Sequence, residues 1–359
     1  MKNFLKVTMP LLLAAFVVAC APAANGSDDT GFVLALVTDY GGIDDGSFNQ
    51  GAWEGLVAYA VANNITHTFI QPAAVSDAAY LEAIELAVNG GAQLVVTPGF
   101  LFINAIYQAQ DLFPDTMFVL IDAVPSSPDG VPRIEQNVVA INYAEEQAGF
   151  LAGYAAVMDG HRNLGFIGGI AVPAVVRFGH GFVLGADHAA MQLGLASGDV
   201  TINFHYAMTF SPSPEVQTLA ASWYHDGVEI IFAAAGGAGF SVMAAAEAQG
   251  GLIIGVDLDQ ANDSDTVVTS ALKGLGASVY YAVSEFFAGS FPGGQNLVLG
   301  AAEDGVGLPM GTSRFQTFSQ AQYNAIFDQL VSGAIVVDDR SDIPVTALDV
   351  SVVNIIEIS

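Results

Sequence analysis

A cluster of acidic and amide side chains follows the first apolar segment of the chain, in the stretch VTDYGGIDDGSFNQ that begins at Val37. Its polar candidates are Asp39, Asp44, Asp45 and Asn49. Side chains of these types bind metal ions, carry out acid–base chemistry, or hold the hydroxyl groups of a small ligand. The residue types are compatible with all three functions. The strands and helices that position these side chains must therefore be considered next.

Two of these acids also have a structural explanation. Asp44 and Asp45 precede a segment of helical periodicity that begins near Phe48, and acids at such a position cap a helix and interact favourably with its dipole. We therefore interpret both as capping residues. Asp39 directly follows an apolar strand, so we expect it to accept a hydrogen bond from a ligand hydroxyl.

Phe48 and Asn49 stand side by side at the predicted start of this helix. An aromatic face next to an amide suits a flat ring with polar edges, such as a nucleobase. The sequence thus predicts a stacking platform. The alternative is that Phe48 packs as a hydrophobic staple of the helix.

Short apolar strands alternate with helix-period segments along most of the chain. The first strand, 32–37, precedes the helix at Phe48, and the pattern restarts near Tyr143 and continues to Val256. Continuous apolar strands between amphipathic helices predict parallel sheets covered on both faces. Two such series predict two Rossmann-like, doubly wound lobes that face each other across a cleft.

Four predicted strands end in turns that carry acids or glycines. In open parallel sheets ligands bind at the carboxyl ends of the strands, so we expect these turns to meet at the cleft. The turns contain Asp39, Asp122, Gly236-Gly237-Ala238-Gly239, and Asp257 with Asp259. The glycine turn has no GxGxxG spacing and few basic residues around it, which favours an uncharged ligand that contacts backbone N–H groups.

Lys273, in the sequence TSALK, is the only lysine beyond residue 6. It comes just after a predicted strand from Thr266 to Ser270, at the same sheet edge as the acids of the cleft. We expect it to form ion pairs with them. The alternative is an ordinary surface lysine.

Composition and charge narrow the function classes. The chain has 359 residues, of which 53% are hydrophobic and 12% charged, which is typical of a globular protein with room for two domains. It carries 36 acidic against 8 basic residues, a formal net charge of −28, so electrostatic repulsion excludes nucleic acid as a partner. We expect no cofactor, and we expect a monomer.

The N-terminus resembles a bacterial secretion signal. Lys2 and Lys6 precede an apolar segment that is too short to span a bilayer comfortably, and the segment ends in VVAC at Cys20, the only cysteine of the chain. We predict a lipoprotein signal peptide over 1–20, lipidation of Cys20, and a small polar tether over 21–30. An uncleaved membrane anchor is the alternative.

Five blocks of sequence resemble, in order, the signatures of the basic membrane protein family of bacterial lipoproteins, also called the purine nucleoside receptor family. They are LVTDYGGIDDGSFNQGAWEGL, LGFIGGIAVPAVVRFGHGF, AAAGGAGFSVMAAAEAQG, IIGVDLDQ and VVTSALKG. The resemblance implies a type I periplasmic-binding-protein fold with a three-crossing hinge. It also implies an extracytoplasmic lipoprotein, not an enzyme, that delivers purine nucleosides such as adenosine, guanosine or inosine to the permease and ATPase subunits of an ABC importer.

The resemblance also implies roles for individual residues. Phe48 would stack on one face of the base, and either Phe178 or Phe210 on the other. Two positions depart from the family, namely Gly46, where a lysine is common, and Pro212, where an aspartate is common. The implied polar contacts are Asp39, Asn49 and Asp122 to base or ribose, Asp257 to ribose hydroxyls, Gly237 through its backbone, and Lys273, which orients the acids.

In such a fold the cleft closes over the ligand by rotation at the hinge. We predict crossings between the lobes near Ile141, Asp263 and Gln295. The predicted lobes are an N-terminal lobe of 31–141 plus 263–295 and a C-terminal lobe of 142–262 plus 296–359.

A calcium-dependent nucleoside hydrolase is the competing hypothesis. Such enzymes carry a DxDxGxDD motif after their first strand, and TDYGGIDD is similar to it, but Val37 stands at the first aspartate and an extra glycine shifts the register. The loss of a ligand argues against calcium chemistry and against a metal site. A third hypothesis, a ligand-sensing lipoprotein not coupled to transport, predicts the same sequence features.

Overall fold

The computed structural model describes residues 33–39 and 41–358, in which strands and helices alternate as the sequence predicts. The first part of the chain forms β1 (Leu34–Val37), α1 (Phe48–Asn63), β2 (His67–Ile70), α2 (Asp77–Asn89), β3 (Leu94–Pro98), α3 (Ile103–Leu112), β4 (Met117–Ile121) and β5 (Val138–Tyr143). The second series comprises α4 (Glu145–Met158), β6 (Asn163–Gly168), α5 (Pro173–Gln192), β7 (Val200–Tyr206), α6 (Pro214–His225), β8 (Ile230–Ala234), α7 (Gly239–Gln249), β9 (Leu252–Asp257) and β10 (Val267–Lys273). The last part contains α8 (Leu275–Ala288), β11 (Gln295–Leu299), β12 (Val306–Gly307), α9 (Gln320–Val331) and β13 (Val353–Glu357).

The strands form two sheets, one in each lobe. The first has the order β11-β5-β4-β3-β1-β2, and all of its neighbouring strands are parallel. The second has the order β12-β10-β9-β8-β6-β7-β13 and is parallel apart from the pair β10 and β12. Central strands such as β1 and β8 are apolar and buried throughout, because helices cover both faces of each sheet. The predicted α/β fold of two doubly wound lobes is confirmed.

Each sheet has a switch point, where consecutive strands run to opposite sides of the strand that begins the lobe. In the first sheet β1 lies between β2 and β3, and in the second β6 lies between β7 and β8. The loops at the carboxyl ends of these strands diverge and leave a crevice, which is where open parallel sheets bind ligands. The loop that follows Val37 therefore lies at the edge of the sheet where a ligand is expected.

The chain passes between the lobes three times. The first crossing, at 143–145, is next to the predicted Ile141, because β5 belongs to the first sheet and α4 packs on α5 of the second lobe. The second crossing is at 273–275, since β10 belongs to the second sheet and α8 packs on α1. The third lies at 299–306, between β11 and β12.

The sheet order contradicts the crossings predicted near Asp263 and Gln295. Of the stretch 263–295 assigned to the N-terminal lobe, β10 belongs to the second sheet, whereas α8 packs on α1 of the first lobe. Strand β10 pairs in parallel with β9 of the second lobe, although the connection 258–266 contains no helix. Parallel neighbours are usually joined by a helical crossover, and the connection between β9 and β10 is an exception. Strand β11 pairs with β5, which moves the third crossing beyond 299.

Helices α4 and α5 pack closely through glycines. A Cβ atom at Gly149 would lie 2.1 Å from the carbonyl oxygen of Phe178, and one at Gly181 would lie 2.0 Å from that of Glu146. Any side chain at these positions would push the helices apart, even though glycine costs about 1 kcal/mol in a helix interior. The contact fixes the first half of α5 against the first turn of α4, and this is the end of both helices that faces the cleft.

The predicted signal peptide, tether and lipidation site at Cys20 lie outside the described residues. From Gly31 onward the chain forms one compact unit. No helix in the ranges 33–39 and 41–358 combines the length and the apolar character needed to cross a bilayer.

Candidate functional site

A pocket of about 430 Å³ lies between the carboxyl edges of the two sheets, within the range of roughly 300–1,000 Å³ that is usual for small-molecule sites. Every residue that the sequence predicts as a ligand contact lines this pocket. These residues are Asp39, Phe48, Asn49, Asp122, Phe178, Phe210, Gly237, Asp257 and Lys273. Residues far apart in sequence thus converge as predicted, and their roles toward a ligand stay proposals.

Asp39 and Asn49 form one polar corner of the pocket in the first lobe. Asp39 Oδ1 accepts hydrogen bonds from the Gly41 N–H at 2.6 Å and from Asn49 Nδ2 at 3.0 Å. Burial raises the pKa of Asp39, and these two bonds oppose the rise. The corner is therefore fixed in orientation before any ligand binds.

Asp45 caps helix α1. Its carboxylate accepts the backbone N–H groups of Ser47 at 3.0 Å, Asn49 at 2.9 Å and Gln50 at 3.0 Å, and it also accepts Asn49 Nδ2 at 2.9 Å. The capping interpretation is confirmed for Asp45. Asp44 instead lines the pocket and accepts no hydrogen bond from the described part of α1.

Asp122 follows β4 with a φ of 59°, in the left-handed region. Its Oδ2 accepts a hydrogen bond from Lys273 Nζ, whereas its Oδ1 is buried and accepts none from the residues that the structure describes. Burial raises the pKa of Asp122 to about 7, although Lys273 opposes this rise. A half-satisfied buried carboxylate of this kind is poised to accept a hydrogen bond from a ligand.

Lys273 is enclosed, with its side chain only 2% exposed. Besides Asp122, its Nζ lies 3.1 Å from Glu145 Oε1, and the ring centroids of Phe48, Tyr143 and Phe178 lie 5.1, 5.3 and 5.4 Å away. Burial lowers the pKa of Lys273, but the surrounding carboxylates outweigh it and the net shift is upward. The ion pairing predicted for Lys273 is confirmed, and the lysine remains a cation that is already neutralised by the protein.

Asp257 ends β9 on the opposite wall, also with a positive φ, of 66°. It is 7% exposed, and its Oδ2 accepts the Ser47 hydroxyl of the first lobe at 2.5 Å. Gln260 Nε2 likewise donates to the carbonyl oxygen of Gly46 at 2.9 Å. Burial raises the pKa of Asp257, despite Lys273 and the Ser47 hydrogen bond. The two lobes are therefore in direct polar contact across the cleft.

Phe178 and Phe210 differ in their surroundings. Phe178 is 2% exposed and packs edge-on against Phe232 at 5.8 Å. Phe210 is half-buried and lies over the glycine turn, where a Cβ atom at Gly237 would meet the Phe210 carbonyl oxygen at 3.2 Å. Both residues line the pocket, and Phe210 is the less buried of the two.

Several residues of the site escaped the sequence analysis. Phe100 and Phe240 line the pocket, and Glu145 and Arg177 lie behind Lys273 with Arg177 Nε 2.7 Å from Glu145 Oε2. Arg177 carried one available signal, because it adjoins Phe178 in a chain with few basic residues. The two phenylalanines had no signal beyond their hydrophobicity.

The second acid of the Asp257–Asp259 pair turns away from the pocket. Asp259 accepts hydrogen bonds from the Thr312 hydroxyl at 2.6 Å and the Ala261 N–H at 3.1 Å. Across the described part of the chain, no three or more histidine, cysteine or acidic side chains are grouped as a metal site requires. The arrangement as a whole offers hydrogen-bond acceptors, aromatic faces and a neutralised lysine.

Comparison with known proteins points to one family. A family model described as ABC transporter substrate-binding protein, PnrA-like, matches residues 32–341. A CD4+ T-cell-stimulating antigen of Listeria innocua is 30% identical over 94% of this chain and 99% of its own length. An ABC transporter nucleoside-binding protein of Lactococcus lactis is 31% identical over 80% of this chain and 84% of its own length.

Solved structures agree with the fold. A solute-binding protein of an ABC transporter system from Aeropyrum pernix superimposes with a TM-score of 0.74 over 87% of this chain and 94% of that chain, at 23% identity. At this identity the likeness concerns the fold alone. It confirms the predicted type I periplasmic-binding-protein fold.

Proposed function

The chain belongs to the Bmp family of PnrA-like ABC transporter substrate-binding proteins, and we propose that its ligand is a purine nucleoside held in the pocket between the two lobes. Proteins of this family bind a substrate for a transporter, which agrees with the resemblance to basic membrane proteins found in the sequence. The relative from Lactococcus lactis is named a nucleoside-binding protein. That name supports the choice of ligand class.

The observation that carries the proposal is the excess of carboxylates over cations in a pocket with aromatic walls. Among the described residues that line it, Lys273 is the only cation, and Asp122 and Glu145 neutralise it. A phosphorylated ligand would be repelled by the aspartates. A neutral ligand with several O–H and N–H donors and a flat ring fits this chemistry, and a nucleoside has all of these features.

The ribose is assigned to Asp257. A carboxylate accepts two hydrogen bonds side by side, and vicinal hydroxyl groups supply two donors at that spacing. Asp257 Oδ2 already bonds to Ser47, so the same carboxylate would join ribose recognition to closure of the lobes. Gly237 would contribute backbone contacts at the adjacent turn.

The base is assigned to the opposite wall. Asp122 Oδ1 would accept an N–H of the purine, while Asp39 and Asn49 supply further polar contacts. Phe48 would stack on one face of the ring, and Phe210 is the better candidate for the other face because Phe178 is more deeply buried. Stacking on an aromatic side chain contributes about 1–3 kcal/mol per base.

Membrane attachment is the second part of the proposal. Relatives in the family are named basic membrane proteins, and the sequence around Cys20 is similar to a lipoprotein processing site. A lipid on Cys20 followed by the tether 21–30 would hold the compact unit at the extracytoplasmic face of the cell membrane, where permease and ATPase subunits form the rest of the importer.

Titration calorimetry of the chain from Gly31 onward tests the ligand assignment. The panel comprises adenosine, guanosine, inosine, cytidine, uridine, ribose and adenosine monophosphate, each with calcium and with a chelator. We expect purine nucleosides to bind whether or not calcium is present, and the monophosphate to bind much more weakly. Calcium-dependent release of free base would identify a hydrolase instead, and preference for the monophosphate would overturn the proposal.

A labelling experiment tests the anchor. Cells that express the full chain are grown with a radioactive fatty acid, and the Cys20→Ala variant serves as the matched control. We expect label in the wild-type protein and none in the variant. Equal labelling of both, or of neither, would contradict lipidation at Cys20.

A further inference from the structure

Glu145, which is buried, and Arg177, which is partly buried, form an ion pair just behind the pocket and have no part in the ligand contacts proposed above. Glu145 is fully buried at the first residue of α4, and its Oε2 accepts a hydrogen bond from Arg177 Nε at 2.7 Å. Its other oxygen, Oε1, lies 3.1 Å from Lys273 Nζ. One carboxylate therefore bridges two cations.

These contacts extend into a row of alternating charges that runs through the hinge. Asp122 follows β4 in the first lobe, and Lys273 stands at the second crossing. Glu145 stands at the first crossing, and Arg177 lies on α5 of the second lobe. The row connects the pocket wall of one lobe to a helix of the other.

We propose that Glu145 and Arg177 are positioning residues of the ligand site, which set how far the Lys273 ammonium compensates Asp122 and thereby the charge that Asp122 presents to the ligand. The proposal rests on the function proposed above, because it takes the ligand to donate a hydrogen bond to Asp122 Oδ1. It adds two residues that touch no ligand yet act on it through Lys273.

The physical argument begins with the lysine side chain, whose four-carbon stem is flexible and whose charge is costly to bury. Glu145 competes with Asp122 for the ammonium, and Arg177 limits that competition because it shares the Glu145 carboxylate. If Arg177 were absent, Lys273 would have to compensate both Glu145 and Asp122. If Glu145 were neutral, Lys273 would compensate Asp122 alone.

The pKa of Asp122 reports how Lys273 is shared between Glu145 and Asp122. The charged and titratable groups that face it are Lys273, Glu145, Asp257, Tyr143 and Arg177. Burial raises the pKa of Asp122 to about 7, Lys273 lowers it, and Glu145 and Asp257 raise it further. Because a ligand donor favours the ionised carboxylate, affinity is complete above this pKa and falls by up to about tenfold per pH unit below it.

The experiment measures the dissociation constant of adenosine from about pH 5.5 to about pH 8.5, a range that brackets the pKa of Asp122. Glu145→Gln removes a negative charge and is expected to move the midpoint of the pH profile downward, by about one unit. Arg177→Met removes a positive charge and is expected to move it upward. Opposite displacements distinguish positioning from mere loosening of the hinge, which would weaken binding in both variants without such a pattern.

Three controls accompany these variants. Glu146, whose pKa burial also raises to about 7, lies 3.9 Å from Arg177, and Glu146→Gln is expected to keep the pH dependence. Arg177→Lys keeps the charge and is expected to restore most of the wild-type midpoint. Arg133→Met breaks an exposed ion pair with Asp111 and should leave the profile unchanged.

The outcomes separate the two proposals. If wild-type protein binds no nucleoside, the proposed function fails and this inference fails with it. If wild-type protein binds adenosine but both variants move the midpoint in the same direction, or neither moves it, the nucleoside site stands and the positioning role is overturned. Should Arg177→Met not fold, Glu145→Gln and Arg177→Lys decide the question by themselves.

Discussion

Two sets of enclosed carboxylates in this protein differ in how many of their oxygens accept hydrogen bonds from the protein itself. Asp187, which is 3% exposed on α5, accepts the backbone N–H groups of Ser351, Val352 and Val353 at 2.7 to 3.1 Å. The Asp122 side chain is 10% exposed, yet its buried Oδ1 accepts no hydrogen bond within the described ranges.

Asp159 and Asp257 show the same contrast in hydrogen bonding. Asp159 accepts three backbone N–H groups from residues 316–318. Within the part of the chain that the structure describes, Asp257 accepts one side-chain hydrogen bond, from Ser47. A buried carboxylate is costly unless hydrogen bonds replace its water. Asp159 and Asp187, the satisfied set, anchor the C-terminal segment to the second lobe. Asp122 and Asp257, the open set, keep acceptor capacity that the proposed ligand would use.

We expect the largest effect from a substitution in the satisfied set, and we expect it on the free energy of unfolding. Asp187→Ala leaves three backbone N–H groups without their acceptor, so we expect the free energy of unfolding to fall by about 3–5 kcal/mol. Urea denaturation measures this, and Asp187→Asn, which keeps one acceptor oxygen, should lose less. The nucleoside affinity of the folded variant should not change. A loss of affinity in a folded variant would refute the claim that Asp187 serves only the fold.

We expect the second largest effect from a substitution in the open set, and we expect it on the affinity for a nucleoside. Asp257→Ala removes the acceptor proposed for two ribose hydroxyls, so we expect affinity to fall at least about 100-fold. Because alanine is disfavoured at a positive φ, stability should fall by roughly 1–2 kcal/mol, and Asp257→Asn, which tolerates that backbone, separates the two effects. Unchanged affinity in titration calorimetry would refute the assignment of Asp257.

The comparison extends to the two candidate aromatic residues. Phe210→Ala should weaken nucleoside binding about tenfold with little loss of stability, because Phe210 lines the pocket and is only half-buried. Phe178→Ala should instead lower the free energy of unfolding by about 3–5 kcal/mol, because it leaves a cavity in the core. The reverse pattern, measured by calorimetry and urea denaturation on both variants, would make Phe178 the stacking residue.

The smallest effect is expected at a single satisfied hydrogen bond. The Ser213 hydroxyl accepts the Val216 N–H at 3.1 Å as the N-cap of α6. Ser213→Ala should cost about 1 kcal/mol of stability in thermal unfolding and leave affinity unchanged. A fall in affinity would show that α6 takes part in ligand binding and would contradict a purely structural role for this cap.

The sequence predicts the open set better than the satisfied one. Asp122 and Asp257 each stand at the carboxyl end of a continuous apolar strand, where open parallel sheets bind ligands. The partners of Asp187 lie more than 160 residues away, and no local pattern reveals that such segments meet. Strand β10 was assigned to the wrong lobe for a related reason, because a helix-free connection between parallel neighbours gives no signal that the chain remains in the sheet.

Glu145 and Arg177 illustrate the remaining gap. At the start of α4, Glu145 has the sequence signature of a helix-capping acid, and only packing against α5 brings Arg177, 32 residues away, within hydrogen-bond distance. The glycines that permit this packing are visible in the sequence, but the register between the two helices is a property of the folded core.

A crystal structure of the chain from Gly31 onward, grown with adenosine, tests the central claim most directly. We predict ligand O–H and N–H groups within hydrogen-bond distance of Asp257 and of Asp122 Oδ1, with the purine between Phe48 and a second aromatic ring, and the bonds of Asp159 and Asp187 unchanged. A ligand bound elsewhere, or bound in the pocket while both Asp122 and Asp257 contact only protein, would contradict the account.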